Sequence, residues 1–179
     1  MKKLITLLNI LVFISAIDAQ EVESIETFLK NNVKQVSVDE EIIEQSFEIN
    51  QQQCIYSIHV NNTEDDDAYT YEFNAGDLNE YKITFETGKH DVYIETETKG
   101  GKDLIRTFEN EQVDGYDDDF SFYANDVEHA RALVENFKNL VRNCSKMQEN
   151  IGFMLGDNPG ISNALTYLSE NINKISVNE

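Results

Sequence analysis

The sequence is short of basic residues, and that shortage excludes more than any other feature of its composition. Its 179 residues contain 14 Lys and Arg against 34 Asp and Glu, which gives a formal net charge of −20. The segment 35–81 has no Lys or Arg at all. A charge of this sign repels polyanions and the surfaces of anionic membranes. We therefore expect no nucleic-acid partner and no binding to anionic lipid.

Long apolar runs are absent except at the N-terminus. Two lysines there precede an apolar stretch from Leu4 to Ala16, and Ala19 precedes a polar chain that starts at Gln20. A basic start, an apolar run too short to span a bilayer and a small residue before a polar chain are typical of a secretory signal peptide. The pattern predicts cleavage between Ala19 and Gln20, a secreted or periplasmic location, and no membrane insertion after the signal is removed.

Motifs that carry catalysis or hold a cofactor are also missing. The sequence contains no GxSxG nucleophile motif, no phosphate-binding glycine loop and no dinucleotide glycine pattern. Its three histidines, His59, His90 and His129, match no metal motif such as HExxH. Among so many acids, no single pair of carboxylates stands out for general acid and base chemistry. We predict no catalytic residue, no cofactor and a protein that is not an enzyme, with a hydrolase that uses acidic residues as the least favoured alternative.

Apolar residues that alternate with polar ones dominate the region from Glu41 to Ala124. A period of two is typical of half-buried β-strands, and segments rich in Asn, Gly and Asp separate the runs. Short connections favour an antiparallel sheet with one buried face. The seven predicted strands are centred on Ile43–Ile49, Cys54–Val60, Tyr69–Phe73, Tyr81–Phe85, Val92–Ile94, Leu104–Phe108 and Phe120–Ala124.

Helical spacing replaces this alternation at both ends of the strand region. Apolar residues on one side of Val22–Lys34 predict a short amphipathic helix. Asp126 is a suitable N-cap for a long amphipathic helix that extends to Met147. Gly156–Gly160 then interrupts the chain, and a narrow apolar seam over Ile161–Ile175 predicts a tail helix. That tail helix either packs on its own domain or docks on a protein partner.

Together these elements predict an α+β fold, with an antiparallel sheet or partial barrel of about seven strands and a long helix packed on it. The order resembles that of pleckstrin homology (PH) domains, in which a C-terminal helix follows seven strands. Phosphoinositide-binding PH domains usually carry basic residues in the loop after the first strand. The corresponding Asn50–Gln53 has none, so the resemblance does not imply that activity. A lipocalin-like or helix-grip fold is the alternative.

We predict three segments along the chain. They are a signal peptide (1–19), one α+β domain (20–147), and a linker with the tail helix (148–179).

Two clusters of acids are the candidates for a metal site. Thr63–Asp67 and Asp114–Asp119 collect carboxylates in predicted loops, and calcium prefers hard oxygen ligands of this kind. Neither segment matches the EF-hand loop, and a solvated acidic turn explains each more simply. No metal site is therefore predicted beyond four weak calcium candidates, which are Asp65, Asp67, Asp117 and Asp119.

Cys54 and Cys144 are the only two cysteines. Each falls on the inward face of its element by periodicity, and an exported chain enters compartments that permit disulfides. We predict a disulfide that clamps the long helix to the sheet, with two separate buried thiols as the alternative. The bond requires the two Cα atoms to lie within about 7 Å of each other.

These features favour a secreted or periplasmic, non-enzymatic domain that binds a protein partner or a ligand. The tail helix is the candidate surface for a protein partner, and the oligomeric state stays undetermined. The alternative is a carrier of a small apolar ligand in a cavity between sheet and helix. Its lining would be the inward aromatics, although such residues more often form a solid core: Tyr69, Tyr71, Phe73, Phe85, Phe120 and Phe122.

Overall fold

The computed structural model describes residues 22–39, 41–50, 54–63 and 67–156, without the side chains of residues 67 and 150–156. The predicted signal peptide and tail helix lie outside these residues. A short helix, α1 (22–32), begins the described chain, and a long helix, α2 (Val127–Gly156), ends it. No helix of the described chain combines the length and apolarity that crossing a membrane requires.

Nine strands and two 3-10 turns lie between the helices. The strands are β1 (Val36–Val38), β2 (Glu41–Ile49), β3 (Ile55–Asn62), β4 (Asp67–Asn74), β5 (Thr84–Thr87), β6 (Val92–Glu97), β7 (Ile105–Glu109), β8 (Gln112–Asp117) and β9 (Asp119–Ala124). The turns are Ala75–Asp77 and Glu80–Lys82.

The strands form two antiparallel sheets. The larger sheet has the order β1-β2-β3-β4-β7-β8, and the smaller has the order β5-β6-β9. The chain leaves the larger sheet after β4, builds β5 and β6, returns for the β7–β8 hairpin, and then places β9 against β6. The structure confirms the α+β class, the antiparallel pairing and both flanking helices. The sheets do not close into a barrel, and this order does not confirm the PH-like arrangement.

Two strands are absent from the sequence prediction. Gln112–Asp117 is predicted to be a turn, but it is β8, paired with β7 at the edge of the larger sheet. Its residues are exposed except for Gly115, which is partly exposed, so β8 has no buried face and shows no apolar alternation. β1 has only three residues and is too short to show a period.

A buried side chain ties the two sheets together where β2 approaches β9. Gln45 is 7% exposed. Its Nε2 donates to the carbonyl oxygen of Tyr123 at 2.6 Å, and the backbone N–H of Tyr123 donates to its Oε1 at 2.9 Å. The side-chain amide therefore satisfies the same two backbone groups that a neighbouring strand would satisfy.

Helix α2 covers the core with the apolar stripe that its sequence predicts. Leu133, Phe137 and Leu140 are fully buried. The predicted N-cap is confirmed, because Asp126 Oδ1 accepts a hydrogen bond from the backbone N–H of His129 at 2.7 Å. The helix extends beyond the predicted end at Met147, to Gly156.

The two cysteines meet the geometric condition set by the sequence prediction. Cys54 immediately precedes β3, and Cys144 lies in the second half of α2. Their sulfur atoms lie at disulfide-bonding distance and their Cα atoms are 5.7 Å apart. A bond here closes a loop with a sequence separation of 90 residues and joins the helix to the larger sheet.

Candidate functional site: a cleft lined by tyrosines

A cleft of about 260 Å³ opens between the inner face of the larger sheet and strand β9. Side chains from β2, β3, β4 and β9 form its surface. We call it the tyrosine cleft, and its lining is Ile43, Val60, Asn62, Tyr69, Tyr71, Ser121 and Tyr123.

Alternation along β4 places two tyrosines in this cleft. Tyr69, Tyr71 and Phe73 point to the same side of the strand, because successive side chains of a strand face opposite ways. Phe73 is buried in the core, whereas both tyrosines are partly exposed. The rings of Tyr69 and Tyr71 are nearly parallel, with centroids 6.4 Å apart, and Tyr71 stacks on Phe120 at 5.3 Å. The aromatic core thus extends outward into the cleft.

Strand β9 supplies the opposite wall. Phe120 and Phe122 face the core, so Asp119, Ser121 and Tyr123 face the other way. The backbone of Tyr123 is held by the two hydrogen bonds with Gln45 described above. The sequence prediction omits Tyr123 from the ligand-lining aromatics, because its position in the alternation puts it on the face away from the core.

Four carboxylates lie on the strands near the tyrosines, outside the lining of the cleft itself. Tyr69 pairs across the sheet with Glu109, and Tyr71 pairs with Thr107, whose hydroxyl donates to Asp117 Oδ2 at 2.6 Å. Paired residues on neighbouring antiparallel strands share a face. Glu41 shares the inner face of β2 with the cleft residue Ile43, and Asp119 follows the line of Ser121 and Tyr123 on β9. We call these acids the acid rim: Glu41, Glu109, Asp117 and Asp119.

Nearby negative charges act on two of the tyrosines in the cleft. Burial raises the pKa of the Tyr71 hydroxyl, and the negative charges of Asp117 and Asp119 raise it further. The pKa of Tyr123 is also raised, first by burial and then by Asp91 and Glu41. Both tyrosines therefore stay neutral across the physiological pH range.

The pKa of Asp119 reflects the same repulsion between negative charges. Burial raises the pKa of its carboxyl, and repulsion from Asp118, Asp117 and Glu97 raises it further. The strands that line the cleft, β2, β3, β4 and β9, contain no Lys or Arg that would compensate this charge.

The structure describes the side chains of two of the four calcium candidates. Asp117 and Asp119 both belong to the acid rim, while Asp65 and the side chain of Asp67 lie outside the described residues. No group of three or more His, Cys, Asp or Glu side chains within the described ranges is arranged to hold a metal ion. The Asp117 carboxylate instead accepts the hydrogen bond from Thr107.

The three histidines lie apart from one another and are not in the lining of the cleft. On β3, His59 Nδ1 is 2.8 Å from Thr70 Oγ1, and its Nε2 is 3.3 Å from a carboxylate oxygen of Glu48. His90 Nδ1 is 3.2 Å from Asp39 Oδ1. At the start of α2, burial lowers the pKa of His129.

Most of the aromatics proposed as a ligand cavity fill the core instead. The ring centroids of Phe73 and Phe120 are 4.9 Å apart, and Phe73 and Phe122 each contact Phe137 at 5.7 to 5.8 Å. Phe85 is a partly buried side chain packed against the same core. Of the six, only Tyr69 and Tyr71 line the tyrosine cleft.

A second cleft of about 260 Å³ lies between α2 and the two 3-10 turns. We call it the helix cleft. In contrast to the tyrosine cleft, it is lined by basic side chains. Two of them, Lys99 and Arg142, form hydrogen bonds with other groups of the protein. Lys99 Nζ donates to the carbonyl oxygen of Gly76 at 2.7 Å and contacts Ser145 Oγ at 2.9 Å. Arg142 Nε donates to Glu80 at 3.2 Å. Its full lining is Leu78, Asn79, Glu80, Tyr81, Lys99, Val141, Arg142, Ser145, Lys146 and Glu149.

Comparison with known proteins assigns no family. No family model matches the chain. Neither a curated protein nor a solved structure matches it significantly.

Proposed function

We propose that the protein is a secreted or periplasmic, non-enzymatic domain that binds a small ligand in the tyrosine cleft. The observation that carries this proposal is the meeting of three tyrosines from two sheets around one opening of about 260 Å³. Tyrosine combines a large apolar ring with a polar hydroxyl, and it is enriched where proteins contact ligands and partners. Ser121 adds a hydroxyl group that orients a bound molecule.

The location outside the cytoplasm rests on two features. The N-terminal segment has the basic start, apolar run and small residue of a signal peptide. The Cys54–Cys144 pair lies at disulfide-bonding distance, and disulfides persist in oxidising compartments.

A carrier function is the second candidate, and the same cleft supports it. The sequence suggests that a carrier would hold its ligand in a cavity beneath α2. Phenylalanines fill the space beneath α2, so the tyrosine cleft is a different site. A carrier would hold its ligand nearer the surface, between the larger sheet and β9. A protein partner bound through the tail helix stays a prediction, because that helix lies outside the described residues.

A small-molecule screen by NMR tests the proposal. The mature protein, labelled with ¹⁵N, is titrated with a library of neutral, cationic and anionic compounds of up to about twelve heavy atoms. We expect at least one compound to shift the backbone amide signals of Ile43, Val60 and Tyr123. The Tyr71→Ala variant should lose these shifts, whereas Tyr81→Ala, the matched tyrosine of the helix cleft, should keep them.

Two outcomes would refute a ligand site in this cleft. One is a screen in which no compound shifts those amides. The other is a set of shifts that persists in Tyr71→Ala, provided that circular dichroism shows this variant to be folded.

A further inference from the structure

We infer that the ligand of the tyrosine cleft is a small organic cation, namely an ammonium group that carries alkyl substituents. The inference rests on the proposed function and adds the chemical class of the ligand. Three independent properties of the cleft support it: the rings that line it, the charges around it and its size.

The rings supply the first part of the argument. The face of an aromatic ring carries negative potential, which attracts a cation placed over it. Tyr69, Tyr71 and Tyr123 all line the cleft and are all partly buried. Partial burial removes some of the competing water, so the attraction is stronger here than at an exposed ring. Alkylated ammonium ions suit such a surface because their methyl groups also contact the rings.

The charges supply the second part. Within the described residues, six acids form ion pairs with Lys, Arg or His, and they are Asp39, Glu48, Glu72, Glu80, Glu97 and Glu128. All four acids of the acid rim are outside this set. The rim carboxylates therefore form no ion pair with a described Lys, Arg or His, and two of them accept hydrogen bonds from neutral side chains, Glu41 from Asn62 and Asp117 from Thr107. A bound cation relieves this repulsion, whereas an anion increases it.

The size of the cleft supplies the third part. Sites for drug-sized ligands have volumes of roughly 300–1,000 Å³. At about 260 Å³ the tyrosine cleft falls just below that range, so its ligand is a small molecule. A lysine side chain of another polypeptide has similar chemistry, and the experiment must separate the two sources.

Choline and its neutral carbon analogue, 3,3-dimethylbutan-1-ol, are the probes of charge. The two molecules have nearly the same shape and differ by one positive charge. We expect choline to shift the amides of the tyrosine cleft and to bind at least about fivefold more tightly than the alcohol. Raising NaCl from 20 to 300 mM should weaken the binding of choline and leave that of the alcohol unchanged.

Matched variants assign this preference to the cleft. Tyr69→Leu keeps an apolar side chain without the aromatic face, and Asp119→Asn removes one rim charge without changing size. Each should weaken choline several-fold and leave the alcohol nearly unchanged. The controls are Tyr81→Leu in the helix cleft and Glu135→Gln on the exposed side of α2, and both should bind choline as the wild type does.

The possible results separate this inference from the proposed function. Equal binding of choline and the alcohol in the cleft would overturn the cationic class while the ligand site stands. Failure of choline to bind, with other library compounds binding there, would have the same meaning. Tighter binding of N-acetyl-lysine methylamide than of choline would reassign the site to a lysine of a protein partner. Absence of any binder in the cleft would overturn both proposals.

Discussion

The tyrosine cleft and the helix cleft have the same volume of about 260 Å³ but opposite arrangements of charge. In the helix cleft, Lys99 and Arg142 contact groups of the fold itself, and these contacts fasten α2 to the 3-10 turns. In the tyrosine cleft, the lining strands carry no Lys or Arg beside the acid rim. Cleft volume alone therefore does not identify a binding site. Charge that the fold leaves uncompensated is the more informative property.

Removing the Cys54–Cys144 pair should have the largest effect on stability. The change acts on α2, which forms one wall of the helix cleft. The double variant Cys54→Ala/Cys144→Ala releases the second half of α2 from β3. Because a loop of 90 residues is no longer closed, we expect a loss of about 2–5 kcal/mol in the free energy of unfolding. Urea denaturation measures this loss.

Reduction provides the control for that prediction. Dithiothreitol should lower the stability of the wild type to that of the double variant and leave the variant unchanged. Complete labelling of both wild-type thiols in denaturant without reductant would show that no bond forms.

Removing the Gln45 amide should have the next largest effect on stability. The change acts on Tyr123, which lines the tyrosine cleft. Gln45→Met keeps the side-chain volume but leaves the N–H and carbonyl groups of Tyr123 without their partner. An unsatisfied buried polar group costs about 1–3 kcal/mol, so we expect a loss of roughly 2 kcal/mol in urea denaturation. Gln112→Met on the exposed strand β8 is the matched control and should change stability little. Equal losses in the two variants would contradict a bridging role for Gln45.

Removing the Lys99 ammonium tests whether the helix cleft is a structural contact. Lys99→Met deprives the carbonyl oxygen of Gly76 of its charged donor. We expect a loss of about 1–2 kcal/mol, because hydrogen bonds to charged groups contribute amounts of this order, together with faster hydrogen exchange in the second half of α2. Lys89→Met, in the exposed turn between β5 and β6, removes the same charge elsewhere. A stability loss as large in Lys89→Met would mean that net charge, and not the contact, is responsible.

Neutralising Asp119 should have the smallest effect, and its sign is diagnostic. The pKa of Asp119 is raised in the folded protein, so between the unfolded and folded pKa values the folded state binds more protons. Ionisation of this carboxyl therefore removes stability as the pH rises above about 4. Asp119→Asn should stabilise the protein by up to about 0.5 kcal/mol at pH 7, because the group is largely exposed and its interactions are screened.

The pH series decides that prediction. The stability difference between Asp119→Asn and the wild type should disappear below about pH 3, where the carboxyl is protonated in both states. Glu135→Gln, outside the acid rim, should show no such gain. A stability advantage of Asp119→Asn that is larger at pH 3 than at pH 7 would contradict the repulsion inferred for the acid rim.

Prediction from the sequence works where local periodicity and burial agree. The alternation on β4 and β9 and the stripe on α2 give their elements and inward faces correctly, and Asp126 is the N-cap that its residue type predicts. Prediction is wrong at Gln112–Asp117, because this edge strand is held by hydrogen bonds to β7 and has no buried face to produce a period. Asp117 and Asp119 are predicted as weak metal ligands in a loop, but they lie at strand ends beside tyrosines.

The charge of the protein, the types of most of its elements and the residues that face inward follow from the amino-acid sequence alone, because they depend on composition and on neighbours within a few positions of the chain. Only the tertiary structure decides which elements meet. The order of strands in the sheets, the bridge from Gln45 to Tyr123 across 78 positions and the approach of Cys54 to Cys144 all depend on long-range packing. The tyrosine cleft belongs to this second group, because its tyrosines come from β4 and β9, strands that are far apart in the sequence and have no shared local pattern.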